Sequence, residues 1–590
     1  MAVTGDRRPD RSPPPAQDPG QAPAPGASAA IRPPEDVAAR FRAAGWWRDE
    51  TFLHDLYRTA ALDPERPAIV AHRRHRAAGH RTVTIGYGRL AHTVDRFAAA
   101  LRSLGLAEGD PVAVQLPSRW ETAALVLACL RAGTPAVPVL PAVRAHGLER
   151  ILAASRARVC VVPDRWEGFE HAEALAEMAP RLPWLRQRVV LGDAAATGAL
   201  DFHGYFRRVP HERGRHGEGL GADAGRADRI GLMVTVMGLG DRYATTLHTP
   251  NTLYANIVPR RPAAGPGPER GEVIYSSLPL TSLASLLFTV YWPVALGGTA
   301  VFQDVWDPNT CLDLMAEAGV TLAYAGPDHW SEVLSAQRER PRPLESLNLA
   351  LSGGRTRTSA PLLAELPTAL GAPVHAVWGS PEVGLGTVAR GETPAERAGE
   401  SDGRPLPGLE LSVLPGAACP AGAREPAPLL VRGPSVAVAV WRHGDPAPVV
   451  PWEQDGWLDT GDLGRADGLG GVEVLARAGE RAGAIFMVPT AEVEEALLTH
   501  PRVAEAAVVD YLHQEHGELP CAVVVPTTEA EPPGLVELRE HLAARGVGAG
   551  FLPTRLELAR ALPRDDRGDV RKEALRSWLT TLRPGTPRTL

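Results

Sequence analysis

The chain has 590 residues, 44% of them hydrophobic and 22% charged, with a formal net charge of −7 and a pI near 6.2. That length exceeds one ordinary core, so a large domain with at least one smaller unit is expected. The acidic balance and the lack of a basic patch exclude a nucleic-acid footprint.

The five cysteines, Cys129, Cys160, Cys311, Cys419 and Cys521, are scattered without CxxC spacing. That pattern suits a reducing compartment and predicts no cysteine metal site. No apolar run reaches membrane-spanning length, and the N-terminus carries arginines without the apolar core of a signal peptide. The expected setting is the cytoplasm, with neither membrane nor nucleic acid as a partner. Lys572 is the single lysine among 62 basic residues.

Residues 1 to 35 are rich in Pro, Ala and Gly without periodicity and read as a disordered tail. Order is expected to begin near "GWWRDETFLHDLYRTAAL", where Phe52, Leu56 and Ala60 recur at helical spacing. "PVAVQLP" (Pro111 to Pro117) reads as a strand and "RWETAALVLACLRAG" as a buried helix ended by Gly133. "PAVPVLP", "RARVCVVP" and "LNLALSGG" repeat the strand-then-turn pattern. This βα alternation predicts parallel sheets covered by helices. "HERGRHGEGLGADAGRAD" (His211 to Asp228) reads as a loop. Near Val234 to Leu253 an apolar run meets Gly238 and Gly240, and a helix is expected to follow, opened by Thr249, Pro250 and Asn251. The last 110 or so residues read as a shorter α+β unit, with helices at "TAEVEEALLTH" and "LVELREHLAARG" and strands at "VAEAAVVDY" and "CAVVVP".

The order of several separate motifs resembles that of the adenylate-forming superfamily, in particular acyl-CoA ligases of the medium-chain or cyclohexanecarboxylate type. "WGSPE" (Trp378 to Glu382) is similar to the family's adenine-facing turn, in which the aromatic lies on adenine and the glutamate holds Mg²⁺. "DGWLDTGDLG" contains the TGD motif, whose aspartate, here Asp462, accepts from ribose hydroxyls. "LVRGPSVAVAVW" matches the stretch before it, with Ala439-Val440 in place of the usual Gly-Tyr. "LARAGER" keeps Arg477 near the interdomain hinge. "LALSGG" supplies Gly353 and Gly354, whose missing side chains would let backbone approach the acyl and nucleotide groups. The resemblance implies a large N-terminal α/β domain over residues 36–478, with helix-covered sheets, and a small mobile α+β domain over 479–590. It implies ATP and an acid as ligands.

The cationic groups of that chemistry are replaced. Aligned with the family's TSGTTGxPKG loop, the hydroxyl positions hold Val236, Met237, Leu239 and Gly240, and the lysine position holds Ala244. Gly238 and Gly240 still offer amides and Arg242 a charge, but Asp241 opposes phosphate. "LPRDDRGDVRKEALR" resembles "LPxTxxGKxxRxxLR" with Asp569 at the catalytic lysine, a charge reversal where the transition state needs a cation. Lys572, three residues on, is not expected to substitute. Pro381 stands at the phosphate-binding threonine, Gly479 at the hinge position, "AGAIFMVPT" at the loop that helps admit CoA, and Ser282 where a histidine or aromatic gate is usual. Arginine bias would turn lysine into arginine, not into Ala244 and Asp569.

The residues expected to meet a ligand are therefore Trp378, Gly353, Gly354, Ser282, Glu382, Asp462 and Arg477, with no metal and only weak or absent binding of ATP and Mg²⁺. His248 and His375 are tempting acid–base groups, but a lone histidine is more often structural. Three readings follow. The chain is a repurposed protein that handles an acyl or adenosine-containing intermediate without adenylation. Alternatively it is a non-catalytic pseudoenzyme that binds a ligand or a protein partner. The third reading is an atypical ATP-dependent acyl-CoA ligase. The fold alone does not choose among them.

Overall fold

A computed structural model describes residues 31–581 apart from 75–80, 215–225, 238–242, 259–270, 354–357, 359, 390–400, 414–426, 443–444, 446, 478–489, 514–516, 529, 546, 548–551 and 565–569. The expected tail up to residue 30 and the boundary near Gly479 lie outside the described residues, as do Gly238, Gly240, Asp241, Arg242, Gly354 and Asp569.

Two large sheets dominate the N-terminal domain. In the nine-stranded sheet, strands Pro67–His72, Thr299–Gln303, Val273–Ser276, Leu322–Ala325, Leu349–Ser352 and Val374–Ser380 run parallel, with antiparallel strands at both edges. The eight-stranded sheet is parallel from Leu232–Met237 through Leu200–Asp201 and antiparallel at its other edge. Parallel strands buried on both faces read as apolar runs, which is why they were legible. Helix Trp120–Ala132 has every residue buried, and Gly133, at φ 79°, supplies the left-handed C-cap. A four-stranded antiparallel sheet, including Ala427–Arg432 and Leu458–Ala466, completes this domain.

The C-terminal unit is a three-stranded sheet with helices Thr490–Leu498, Leu535–Ala544 and Lys572–Thr581. Val493, Leu497, Leu538 and Leu542 share one apolar cluster with Val508 and Val524, as the helical spacing predicts.

Three sequence expectations change. Order starts earlier than "GWW": helix Glu35–Ala43 precedes it, with acidic residues in its first turn and Arg40 and Arg42 in its last. Those charges complement the helix dipole. Second, a strand that the sequence did not predict, Tyr243–His248, stands before the expected helix. Residues 238–242 connect two antiparallel strands, Leu232–Met237 and Tyr243–His248, and only then comes helix Pro250–Tyr254. Thr249 caps that helix by accepting from the Thr252 amide, as its residue type suggested. Third, the His211 to Asp228 stretch contains helical turns at His211–Gly214 and Arg226–Asp228.

Candidate functional site

The turn carrying Glu382 joins two antiparallel neighbours within the nine-stranded sheet. Strand Val374–Ser380 delivers Trp378 and then reverses through Pro381 and Glu382 into the antiparallel strand Gly384–Val388. Val383 donates its amide to Ser380, and Ala437 donates its amide to the Glu382 carbonyl at 2.7 Å. His248, at the end of its strand, donates from Nε2 to the Pro381 carbonyl at 2.7 Å. Because a carbonyl only accepts, Nε2 carries the proton, and Nδ1 faces the Thr252 hydroxyl at 3.1 Å. Burial pushes the His248 pKa down to about 4. A neutral, doubly engaged imidazole splints the turn, so this histidine is structural. Glu382 is 1% exposed.

Trp378 and Asp462 meet. The indole Nε1 donates to Asp462 Oδ2 at 3.1 Å, and the two residues are 5% and 2% exposed. Asp462 sits within strand Leu458–Ala466, just after Gly461 at φ 75°, and its amide donates to the Thr460 hydroxyl. Across the strand pair its register partner is Arg477, whose backbone lies beside it. The indole ring lies across Gly386, where a Cβ would collide with it. Trp378 shares one apolar cluster with Ala244, Val383, Val431 and Val440. Ala439 and Val440, which replace the family's Gly-Tyr, are fully buried and pair with Leu247 and Thr246.

Ala244 is 3% exposed and faces Val236 and Arg442 in register. A cation there would need to be desolvated, so the residue belongs to the core that also holds Trp378. Gly353 ends strand Leu349–Ser352; a Cβ on it would collide with Val377, so packing against the neighbouring strand requires the glycine. Ser282 is buried, and its hydroxyl caps helix Leu283–Leu286 by accepting from the Ser285 amide at 3.2 Å. Ser282 is thus a helix cap. His375, also named as an acid–base candidate, lies in the strand that delivers Trp378, paired with Leu351.

Lys572 lies at the start of helix Lys572–Thr581 and pairs with Glu494, which also accepts from the Val508 amide at 2.6 Å. It is committed within the C-terminal unit.

The sequence reading missed the Trp378–Asp462 bond. Both residues were named, but as two walls of one nucleoside site; the replacement of Gly-Tyr by Ala439-Val440 was the available signal that the surroundings had become a filled apolar core.

The chain matches the AMP-binding enzyme family over residues 56–212 and 246–441 and its C-terminal domain over 492–568. It belongs to that family. Among curated relatives it is 30% identical to a salicylyl-CoA synthase / salicylate adenylyltransferase of a Streptomyces species, over 92% of this chain and 96% of that one. It is 26% identical to a medium-chain fatty-acid–CoA ligase of Escherichia coli, over 92% and 93%. The fold also matches the amide bond synthetase McbA from Marinactinospora thermotolerans, with a TM-score of 0.68, 22% identity and coverage of 90% and 99%. The large and small domains expected from the resemblance are those of the family.

Proposed function

We propose that this chain is a divergent acyl-ligase-like protein that has given up ATP-dependent adenylation and binds or acts on an acyl intermediate in the ancestral pocket. The observation that carries the reading is the buried hydrogen bond from Trp378 to Asp462. In the family the aspartate's role is to accept from ribose. Here it already accepts from an indole, and a bond to a charged group is worth about 1.5–3 kcal/mol. A nucleoside entering this position would break that bond and displace a ring packed on Gly386. Two further features support the reading: Ala244 supplies no cation and lies in the core, and Pro381 supplies neither hydroxyl nor amide. The sequence adds Asp569 at the catalytic lysine.

One feature favours the ordinary ligase. Both curated relatives named above carry ligase or synthase activities and align over more than nine-tenths of their length. Acid-dependent exchange of labelled pyrophosphate into ATP separates the two readings, with salicylate, octanoate and cyclohexanecarboxylate as the acids. Losing one charge contact in the transition state costs about 3 kcal/mol, roughly a hundredfold in rate, and two are gone. The expected exchange is at background for all three acids. Robust exchange with any of them would restore the ligase reading.

A further inference from the structure

Helix Glu35–Ala43, which the sequence reading passed over, forms one wall of a cleft of about 430 Å³. The opposite wall is the stretch from Arg432 to Val438 together with Pro451, Trp452 and the turn at Asp455 and Gly456. Trp378, Glu382 and Asp462 are not part of it. A cleft of this size lies within the range of small-molecule sites, roughly 300–1,000 Å³. Trp47 is held in place by donating its indole N–H to the Pro434 carbonyl at 2.9 Å, so this wall is fixed before any ligand arrives.

Val37, Phe41, Trp47, Val436 and Trp452 bring apolar and aromatic side chains to the cleft, beside polar lining atoms. Three charges stand among the lining residues. Arg432 is committed, because it pairs with Glu410 and lies over the Trp457 ring at 4.5 Å. Arg40 has no carboxylate partner among the described residues; its guanidinium lies over the Phe41 ring at 5.3 Å. Asp455 likewise has no cationic partner among the described residues, and a left-handed turn, φ 52° at Asp455 and 84° at Gly456, carries it. The uncommitted lining charges are therefore one cation and one anion beside these aromatic side chains.

We propose that this cleft binds an α-amino acid with an aromatic side chain. The ring lies between Trp47 and Trp452, the carboxylate meets Arg40 and the ammonium meets Asp455. An uncharged aromatic fills the interior but leaves both charges unanswered, and a simple aromatic acid answers only one. The assignment stands apart from the reading of the ancestral pocket, and either can fail without the other.

Calorimetry and saturation-transfer NMR on the full chain test it with L-phenylalanine and L-tryptophan. The comparison compounds are 3-phenylpropionate, phenethylamine and L-alanine. Saturable binding of the aromatic amino acids is expected, weaker binding of the two single-charge analogues, and none of alanine. Arg40→Gln should weaken phenylalanine and 3-phenylpropionate by about two- to fivefold and leave phenethylamine unchanged. Asp455→Asn, which tolerates the left-handed backbone, should weaken phenylalanine and phenethylamine to a similar extent and spare 3-phenylpropionate. Trp452→Ala should weaken every aromatic compound. Both charge variants are at exposed positions, so they remain informative if the tryptophan variant fails to fold. Absence of saturable binding, binding unchanged in both charge variants, or 3-phenylpropionate binding as tightly as phenylalanine would overturn the proposal.

Discussion

The two candidate binding regions of the large domain differ in how their polar groups are used. Around Trp378 the polar groups are turned toward the protein: the indole bonds Asp462, His248 bonds the Pro381 carbonyl, and Ala244 is core. Beside helix Glu35–Ala43 the chain keeps open volume and uncommitted charge. A motif retained in sequence is therefore no measure of an open site. What matters is whether its polar atoms still face space.

Acid should affect the two regions unequally, and this is the largest effect expected. Burial pushes His171, His248 and His329 each down to about 4. Their folded pKa lies below the unfolded value near 6.5, so the unfolded chain binds more protons between those limits. Stability is full above pH 6.5 and falls as pH drops toward about 4, by up to about 3 kcal/mol for each histidine. His248→Gln should flatten part of that slope in a series of thermal midpoints. The cleft lining carries no histidine. Hydrogen exchange should therefore show the Pro381 turn opening at a higher pH than helix Glu35–Ala43; simultaneous opening would erase the distinction.

Removing the plug tests closure itself. Trp378→Ala deletes a buried ring and leaves Asp462 without its indole donor, at a cost of about 3–5 kcal/mol. If closure is what excludes nucleosides, adenosine should bind the variant more tightly than the parent chain, read by calorimetry at a temperature where the variant stays folded. Equal affinity would mean that Trp378 does not guard the site.

Restoring the cations should not restore the chemistry. Ala244→Lys places an ammonium at a 3% exposed position within an apolar cluster, so about 3 kcal/mol of destabilisation is expected from crowding and desolvation. Combined with Asp569→Lys it should return almost no pyrophosphate exchange, because Pro381 and the Trp378–Asp462 bond remain. Substantial exchange by the double variant would show that only two charges separate this chain from a working ligase.

How far the sequence carried depends on the kind of signal. Buried parallel strands and helix Trp120–Ala132 announced themselves as apolar runs with a terminal glycine, and the motif order fixed the two-domain plan. Helix Glu35–Ala43 was missed because it follows a Pro-rich run and buries only Ala38. The strand Tyr243–His248 was missed because its pairing with Leu232–Met237 is visible only in three dimensions. At the site, Trp378 and Asp462 were both expected to face a ligand, and the structure bonds them to each other. Their bond to each other was not legible, since a side chain's direction depends on Gly386 and Val440 from distant strands. Gly353 shows the same limit: the contact that requires a glycine comes from Val377 of the neighbouring strand.

The smallest expected effect concerns Lys572, the one lysine available to replace the missing cations. It is tied to Glu494 with its side chain 11% exposed, and that carboxylate also accepts from the Val508 amide. Lys572→Met keeps most of the side-chain volume and removes the charge, while Glu494 keeps its backbone donor. The pair is only partly desolvated, so about 1 kcal/mol of stability should be lost, visible as a modest shift in the denaturation midpoint. If the lysine instead supplied the cation for a nucleotide at the large domain, the same substitution would leave stability nearly unchanged and abolish ATP binding measured by calorimetry. A midpoint shift with no change in nucleotide affinity keeps Lys572 within its own domain and leaves the closed region without a cation from that source.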